Sequence, residues 1–335
     1  MRVLHVLCDL SPGGAERLVL ELCKRRSPDL SVTVATVMGA GPLEDAFRAA
    51  GIPLVIGGRR RKTLGVRATA RLARAMRGVD VVHTHLFAGD TWGRMAALAA
   101  RVPVVVTTLH NVDRDETWQR HVKRALAPAS SAIVAVSDAV AAYARDVEHL
   151  PDVRVIPNGV DLGRFGPHRG GDGTRVLAIG RRVPQKGFDV LVDALPEGMT
   201  LDIAGEGPWT TDHPRVRLLG RREDVPALLA EADILAVPSR WEGFGLAAAE
   251  GLAAGVPVVA SDVDGLREVV GDAGVLVPAE DRVALRSALA RLRDDPGLRQ
   301  KLGVRGRERA VERFDLRETV RRYESLYGEL AVRCS

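Results

Sequence analysis

The segment at residues 238–257 reads PSRWEGFGLAAAEGLAAGVP, and it joins a short strand to a helix through a loop that contains glycine. The preceding run at 233–237 is mostly apolar and too short for a helix, so it predicts a strand. Gly243 and Gly245 have no Cβ atom, which lets the loop backbone approach a ligand closely. Small, helix-compatible residues follow at 246–254. A helix N-terminus reached through such a loop predicts a phosphate site.

Two carboxylates flank this predicted phosphate site. Glu242 precedes the loop and Glu250 lies in the first turns of the helix, an E-x7-E spacing. Carboxylates accept hydrogen bonds from hydroxyls, so the segment predicts a ligand with both phosphates and hydroxyls, namely a nucleotide sugar. The alternative is an ordinary strand-loop-helix unit whose carboxylates lie on the surface.

The same residues resemble a known family signature. Glu242, Phe244, Gly245 and Glu250 match the E-x-F-G pattern and second glutamate of the retaining glycosyltransferase family 4, which has the GT-B fold. The resemblance implies an α/β protein with two Rossmann-like, doubly wound domains that face a central cleft. It also implies that the loop and Leu246 approach a nucleoside diphosphate sugar.

Composition limits the class of protein. The chain has 335 residues, 46% of them hydrophobic, which is enough for two domains with substantial cores. Its formal net charge of +5 fits an anionic ligand or peripheral contact with the inner membrane surface. The compact basic run at 59–62 has no aromatic platform beside it, so nucleic acid is not an expected partner.

Cysteine usage and the N-terminal residues bear on the compartment. Cys8, Cys23 and Cys334 are far apart and have no metal-binding spacing, which fits a reducing compartment. Asp9 interrupts the first apolar run too early for a signal peptide, and no apolar run is long enough to span a bilayer. We therefore expect a cytoplasmic protein, with peripheral membrane contact left open.

The N-terminal half begins with a strand, a glycine turn and a helix. Apolar residues 3–7 predict the strand, and Gly13 and Gly14 precede a helical stretch at 15–24. The turn resembles the family's G-G-A-E-R loop, which implies that both glycines lie near the donor pyrophosphate and the acceptor. A tight turn with no ligand role is the alternative. Further strands are predicted at 32–37, 53–56, 79–83, 104–108 and 132–136.

Three histidines fall at or just beyond the ends of predicted strands in this half. His83 and His85 close the fourth strand, and His110 follows the fifth. Ligands of doubly wound sheets bind at the carboxyl ends of strands, so all three are predicted on the acceptor side. The resemblance implies that His110 lies beside the transferred sugar. His83 and His85 have a structural alternative, such as capping the strand.

The domain boundary is predicted from the segment at 157–161, PNGVD. It resembles the I-P-N-G-V-D segment that joins the two domains in the family. The acceptor-binding domain is predicted at 1–158 and the nucleotide-sugar-binding domain at 159–315. Helices are predicted at 283–313, with a break near Pro296, and at 316–332, the last of which is expected to cross back to the first domain.

The segment at 180–187, GRRVPQKG, resembles the family's G-R-L-x-x-x-K-G, whose Arg and Lys bind the donor diphosphate. Arg181 and Lys186 match those two positions. A guanidinium can bind two phosphate oxygens at once, and an ammonium acts as a point charge. Arg182 replaces a usual apolar residue, so the arginine that faces the phosphate stays open. A solvated charged loop is the alternative.

Two further patterns concern the base and a metal. Gly205 begins GEGP, which resembles the family's G-x-G-P turn and implies backbone contact with the nucleotide base. Asp262 and Asp264 form a nominal D-x-D metal motif. We reject a metal role, because the residues after Asp264 continue as in the family's G-G-x-x-E segment. No metal and no cofactor besides the donor co-substrate are expected.

Together, the patterns predict a metal-independent, retaining glycosyltransferase that moves a sugar from a UDP-sugar, or next a GDP-sugar, to an acceptor hydroxyl. The acceptor class stays open among glycans, glycolipids and natural products. A GT-B epimerase or phosphorylase and a non-enzymatic sugar-binding protein are the alternatives. The predicted catalytic residues are His110, Glu242, Arg181 and Lys186. The predicted donor-binding residues are Gly14, Arg181, Lys186, Gly205, Phe244, Gly245, Leu246 and Glu250.

Overall fold

The computed structural model describes residues 1–58, 66–112, 117–166 and 168–333, and only the backbone of residues 66–68. The basic run at 59–62 and Cys334 lie outside this part of the chain. Two compact units are present: Met1–Pro157 with the chain from Arg317 onward, and Asn158–Leu316. The boundary predicted after residue 158 lies one residue from this division. No helix in the described ranges is long and apolar enough to cross a membrane.

The first unit is built on parallel strands that alternate with helices. The strands are β1 (Arg2–Leu7), β2 (Ser31–Thr36), β3 (Leu54–Val55), β4 (Val81–His85), β5 (Val104–Leu109), β6 (Ala132–Ala135) and β7 (Val153–Val155). The helices are α1 (Gly14–Arg25), α2 (Glu44–Ala49), α3 (Val66–Ala75), α4 (Leu86–Ala100), α5 (Thr117–Leu126) and α6 (Asp138–Asp146), joined by the C-terminal α13 (Leu316–Arg333). The described strands pair in the order β3-β2-β1-β4-β5-β6-β7.

The second unit repeats this architecture. Its strands are β8 (Arg175–Ile179), β9 (Thr200–Ala204), β10 (Val216–Gly220), β11 (Ile234–Val237), β12 (Val258–Ser261) and β13 (Val275–Val277). Its helices are α7 (Phe188–Ala194), α8 (Val225–Glu231), α9 (Leu246–Ala254), α10 (Asp264–Val270), α11 (Arg282–Asp294) and α12 (Pro296–Arg313). The described strands pair in parallel in the order β10-β9-β8-β11-β12-β13.

Both sheets are doubly wound. In each, the chain moves outward to one edge over the first three strands and then returns to pair a fourth strand with the first. The strands are short, apolar and rich in valine because helices cover a parallel sheet on both faces. The predicted fold class, two Rossmann-like α/β domains, is confirmed.

Local signals explain two boundaries. Asp295 accepts a hydrogen bond from the backbone N–H of Leu298 at 2.8 Å, and Pro296 opens α12, so α11 and α12 separate at the predicted break. Strand β4 runs two residues later than predicted. The N–H of Val79 still bonds the carbonyl of Met76 in the turn after α3, so the strand starts at Val81.

Candidate active site

The predicted site residues lie at the carboxyl ends of the central strands. In the second unit, β8 and β11 are neighbours at the point where the strand order reverses, the usual ligand position in doubly wound sheets. Arg181 and Lys186 follow β8, whereas Glu242 and Gly245 follow β11. The fold therefore brings Lys186 and Glu242, which are 56 residues apart in sequence, into contact.

Lys186 and Glu242 form an ion pair. Lys186 closes a short 3-10 turn after β8, and its Nζ donates to Oε1 of Glu242. Ser239 donates to the same oxygen at 2.9 Å. The side chains of Lys186 and Glu242 are 19% and 9% exposed. The pair is thus largely shielded from bulk water, where charged interactions are stronger than on an open surface.

The two neighbouring arginines have different surroundings. Arg182 is held by the loop after β9: its guanidinium donates to the carbonyls of Gly205 at 3.1 Å and Trp209 at 2.6 Å. Arg181 is exposed, and within the described part of the chain its side chain has no recorded hydrogen bond or ion pair. Arg182 therefore fixes the loop, and Arg181 is the arginine that is available to a ligand.

Glycine lets the loops around Lys186 pack closely. Gly187 has a φ of +63°, and a Cβ atom there would lie 2.1 Å from the carbonyl oxygen of Pro238. Gly205 has a φ of +148°, and its Cβ would lie 1.8 Å from the carbonyl oxygen of Gly180. The loops after β8, β9 and β11 therefore meet backbone to backbone, which no other residue type permits.

Helix α9 begins at the end of the loop after β11. Its N-cap, Gly245, has a φ of +93° and no side chain to cap the first N–H groups, which suits an anion. Leu246 begins the helix and Glu250 lies one turn further, both partly exposed. Phe244 is buried, with its ring edge-on to Phe314 at 5.4 Å. Its ring thus holds the loop rather than offering a contact surface.

In the first unit, Gly13 is the N-cap of α1 and Gly14 its first residue. No side chain caps this helix, which leaves N–H groups available. The carboxylate of Glu16 lies against Gly13, because a Cβ on Gly13 would be 2.3 Å from its Oε2. The carboxylate of Glu16 therefore already lies beside this turn. Contact of both glycines with the donor pyrophosphate stays a prediction.

Three buried histidines form a continuous chain in this unit. Nδ1 of His5 is hydrogen bonded to Nε2 of His85 at 3.1 Å, and Nδ1 of His85 to Nε2 of His110 at 3.0 Å. Nδ1 of His110 is buried and has no partner among the described residues. After His85 the chain turns sharply, since Leu86 has a φ of +59°, an uncommon conformation for leucine.

His83 belongs to a separate network. Its Nδ1 is hydrogen bonded to the hydroxyl of Tyr327 at 2.6 Å and its Nε2 to that of Thr108 at 2.7 Å, while Thr108 also meets Tyr323 at 3.2 Å. Both tyrosines come from α13. In the structure His83 attaches the last helix to the sheet, which fits the structural alternative left open for it, and contact of His83 with the acceptor stays a prediction. His85, whose nitrogens are both bonded to other histidines, also has no nitrogen left for the acceptor.

Burial keeps these histidines neutral. Removal from water lowers the pKa of His5 to about 4 and of His110 to about 3, and it lowers the pKa of His83 and His85 well below the usual value. Nearby histidines add to the effect on His83 and His85. The cluster is therefore a neutral hydrogen-bonding group at physiological pH.

Potential metal ligands occur at two places. Nitrogen atoms of His5, His83 and His85 lie within 4.8 Å of one another, but those of His83 and His85 are all engaged in the hydrogen bonds above. At the D-x-D sequence, Arg267 donates to Asp262 at 2.6 Å and to Asp264 at 2.8 Å. Its guanidinium takes the place that a cation would need between the two carboxylates.

Sequence reasoning missed four residues of these networks: Ser239, His5, Tyr323 and Tyr327. His5 had one signal, a polar residue inside the apolar strand VLHVL. A buried polar group needs a partner, so that position could have been singled out. The tyrosines lie more than 200 residues from their partners in sequence, and only the fold brings them to His83 and Thr108.

Family models match both halves of the chain. Glycosyltransferase Family 4 matches residues 12–164, and Glycosyl transferases group 1 matches residues 173–295. The MMP alpha-(1->4)-mannosyltransferase of Mycolicibacterium hassiacum is 32% identical, over 81% of this chain and 76% of the relative. The D-inositol 3-phosphate glycosyltransferase of Salinispora tropica is also 32% identical, over 78% of this chain and 66% of the relative.

A solved structure supports the same assignment of fold. HepE of Anabaena, in complex with UDP-glucose, has a TM-score of 0.86 at 23% identity, covering 98% of this chain and 100% of that one. This likeness concerns the fold, whereas the mannosyltransferase resembles the chain in sequence over most of both lengths. The chain therefore belongs to glycosyltransferase family 4 and is a glycosyltransferase of GT-B fold.

Proposed function

We propose that this glycosyltransferase moves a sugar, with retention of anomeric configuration and without a metal ion, from a nucleoside diphosphate sugar to an acceptor hydroxyl. A UDP-sugar is the favoured donor and a GDP-sugar the next. The observation that carries the proposal is the shielded Lys186–Glu242 pair, whose Glu242 lies in the loop that leads to the glycine-capped N-terminus of α9. Binding of UDP-glucose by HepE, which shares the fold, supports the donor class.

The leaving diphosphate is stabilised by fixed positive groups in this proposal. Arg181 and Lys186 bind its oxygens, and the N–H groups at the start of α9 add the positive end of the helix dipole. Preorganised charge of this kind lowers the barrier because it needs no rearrangement when negative charge develops. It supplies the role that a divalent cation has in other transferases, so we propose metal-independent transfer.

The two carboxylates bind hydroxyls. When the diphosphate takes Lys186, Glu242 keeps its bond from Ser239 and can accept a second hydrogen bond from a hydroxyl of the donor sugar. Glu250, one helical turn beyond the phosphate site, accepts from the ribose hydroxyls. In the first unit, we assign Nδ1 of His110 to a hydroxyl of the transferred sugar or the acceptor. Retention is proposed from the match to the retaining family's residues.

A turnover assay tests the proposal. The full chain is incubated with UDP- and GDP-sugars in the presence of chelator, with and without a panel of hydroxyl acceptors, and release of nucleoside diphosphate is followed. We expect release that depends on an acceptor, and a product whose anomeric configuration equals that of the donor. Conversion of the donor sugar without release of nucleotide would show an epimerase instead. An inverted product, or activity only with added metal, would contradict the corresponding part of the proposal.

A further inference from the structure

The histidine chain His5–His85–His110 restricts where its protons can be. Each of its two hydrogen bonds joins two ring nitrogens, and each bond needs one nitrogen with a proton and one without. A neutral imidazole carries a single proton, on Nδ1 or on Nε2. The three rings are therefore not independent of one another.

Only two arrangements satisfy both bonds. If Nδ1 of His5 donates to His85, then His85 has its proton on Nδ1, donates to His110, and leaves the His110 proton on Nδ1. If Nε2 of His110 donates instead, all three rings carry the proton on Nε2. Any mixture places two protons or two lone pairs face to face at a distance of 3.0 or 3.1 Å.

The His110 end of the chain decides between these arrangements. Nδ1 of His110 is buried without a partner in the described ranges, and an unbonded buried N–H is tolerated less often than an unbonded acceptor. At the other end, His5 lines a cavity of about 20 Å³, which has room for one water molecule. A water there would accept a hydrogen bond from the distal nitrogen of His5. Because a water can also donate, this cavity accommodates either arrangement, whereas the unpartnered Nδ1 of His110 favours protons on Nε2.

We infer that His5, His85 and His110 share one tautomer, with the proton on Nε2, so that His5 and His85 act as positioning residues that make Nδ1 of His110 a hydrogen-bond acceptor. The inference deepens the proposed function and rests on it for the ligand: the group recognised at His110 is a hydroxyl that donates. Burial, which holds the pKa of each ring below its usual range, keeps the chain neutral as this requires.

A metal ion is the competing account of this cluster. Nitrogen atoms of His5, His83 and His85 are near enough to share one. Binding there would displace a bond of His83 to Tyr327 or Thr108 and a bond of His85 to another histidine, because both nitrogens of each ring are engaged. The hydrogen-bonded chain uses the same atoms without that loss.

Magnetic resonance of the full chain with ¹⁵N-labelled histidine tests the inference, because protonated and bare ring nitrogens have different chemical shifts. Near neutral pH, without ligand, we expect Nε2–H on His5, His85 and His110. The exposed His121, outside the cluster, serves as the reference ring. Mixed tautomers, a shared Nδ1–H form, a charged ring, or a stoichiometric metal bound to these nitrogens would each overturn the inference.

A matched pair of variants tests the transmission from His5 to His110. In His5→Asn the amide oxygen replaces Nδ1 as the acceptor, so we expect His110 to keep Nε2–H. In His5→Leu the Nε2 proton of His85 loses its acceptor, so the His110 population should shift toward Nδ1–H. Tyr327→Phe, which removes only the hydroxyl bonded to His83, should leave His110 unchanged.

An unchanged His110 in folded His5→Leu, or a shift in Tyr327→Phe, would contradict the transmission. If His5→Leu does not fold, His5→Asn still decides, since a His110 shift in that variant overturns the inference. These readouts are independent of turnover. A protein with mixed tautomers that transfers sugar would refute the inference alone, whereas a shared tautomer without donor binding would refute the proposed function alone.

Discussion

The two units place polar groups near the reversal points of their sheets but use different chemistry. In the second unit, the loops that follow the strands β8 and β11 carry a charged pair, Lys186 and Glu242. In the first unit, the corresponding strands β1 and β4 carry neutral rings, His5 and His85, that bond to each other. The difference is consistent with the ligands proposed for each unit, because fixed charge suits a diphosphate and neutral directional hydrogen bonds suit a hydroxyl.

The same difference affects stability. A charged pair that keeps some solvent contact can exchange partners with a ligand, as proposed for Lys186. Buried neutral rings stay neutral only while the fold keeps bulk water away, so their protonation is linked to unfolding.

The largest effect is expected from acid. Because the pKa values of His5, His83, His85 and His110 are lowered in the folded unit, the unfolded chain takes up protons first as pH falls below about 6.5. The unfolding free energy of the first unit should therefore drop with falling pH, by roughly 1 kcal/mol per pH unit for each of these histidines, until the folded values are reached. Amide hydrogen exchange measures the protection of each unit separately and therefore checks this prediction.

The first unit should thus lose protection between pH 6.5 and 5 before the second unit does. His121→Gln, at an exposed histidine on α5, is the control and should leave the pH dependence as it is. Equal loss of protection in the two units would contradict the neutral buried cluster.

Removing the charge in the second unit should affect the reaction most among single substitutions. Lys186→Ala should lower turnover about 100- to 1000-fold, as the loss of one oxyanion-stabilising donor does in other enzymes. The shielded Glu242 is left with Ser239 as its partner, so unfolding is measured in parallel and turnover is compared per folded molecule. Arg217→Ala removes an exposed cation that pairs with Asp202 and serves as the control. Normal turnover per folded molecule in Lys186→Ala would refute the assigned role.

The adjacent arginines should separate binding from stability. Arg181→Ala should weaken binding of a nucleoside diphosphate about 10- to 150-fold, because a charged hydrogen bond contributes about 1.5–3 kcal/mol, while thermal unfolding stays unchanged. Arg182→Ala should lower stability by about 1–2 kcal/mol, since it loses the bonds to Gly205 and Trp209. Calorimetric titration and thermal unfolding measure the two. The reverse pattern would mean that Arg182 faces the phosphate.

The smallest effect is expected at the attachment of α13. Tyr327→Phe removes one hydroxyl from His83 and should lower the unfolding free energy of the first unit by about 1 kcal/mol. Because this network is separate from the phosphate site, affinity for nucleoside diphosphates should not change. Chemical denaturation and titration check both statements. A tenfold loss of nucleotide affinity would show that the two networks are coupled.

The fold class and the candidate residues Lys186 and Glu242 could be predicted from the sequence, because both depend on local signals. Valine-rich strands and glycine turns can be recognised from the amino-acid sequence alone, and Lys186 and Glu242 lie in recognisable motifs. Strands β7, β10, β12 and β13 were not singled out; each is five residues or fewer, and the equally short β11 was predicted because a recognisable motif follows it. Short apolar runs give too little periodicity to identify a strand.

The histidine cluster of the first unit was predicted less completely, because its hydrogen bonds depend on which strands and helices are neighbours in the fold. His5 meets His85 only because β1 and β4 are adjacent, and His83 meets Tyr327 only because the last helix packs on the first unit. Likewise, the difference between Arg181 and Arg182 depends on which carbonyls lie nearby. No local pattern contains these contacts.

The most direct test of the account is thermal stabilisation of the full chain by UDP, GDP, ADP and UMP, with and without chelator, on wild type and on Lys186→Ala. A ligand that binds only the folded state raises the free energy of unfolding by RT ln(1 + [L]/Kd), so the preferred nucleotide is identified directly. We predict that one diphosphate stabilises wild type in the presence of chelator and loses most of that effect in Lys186→Ala. Stabilisation by none of the nucleotides, or equal stabilisation of the variant, would contradict a diphosphate site at Lys186.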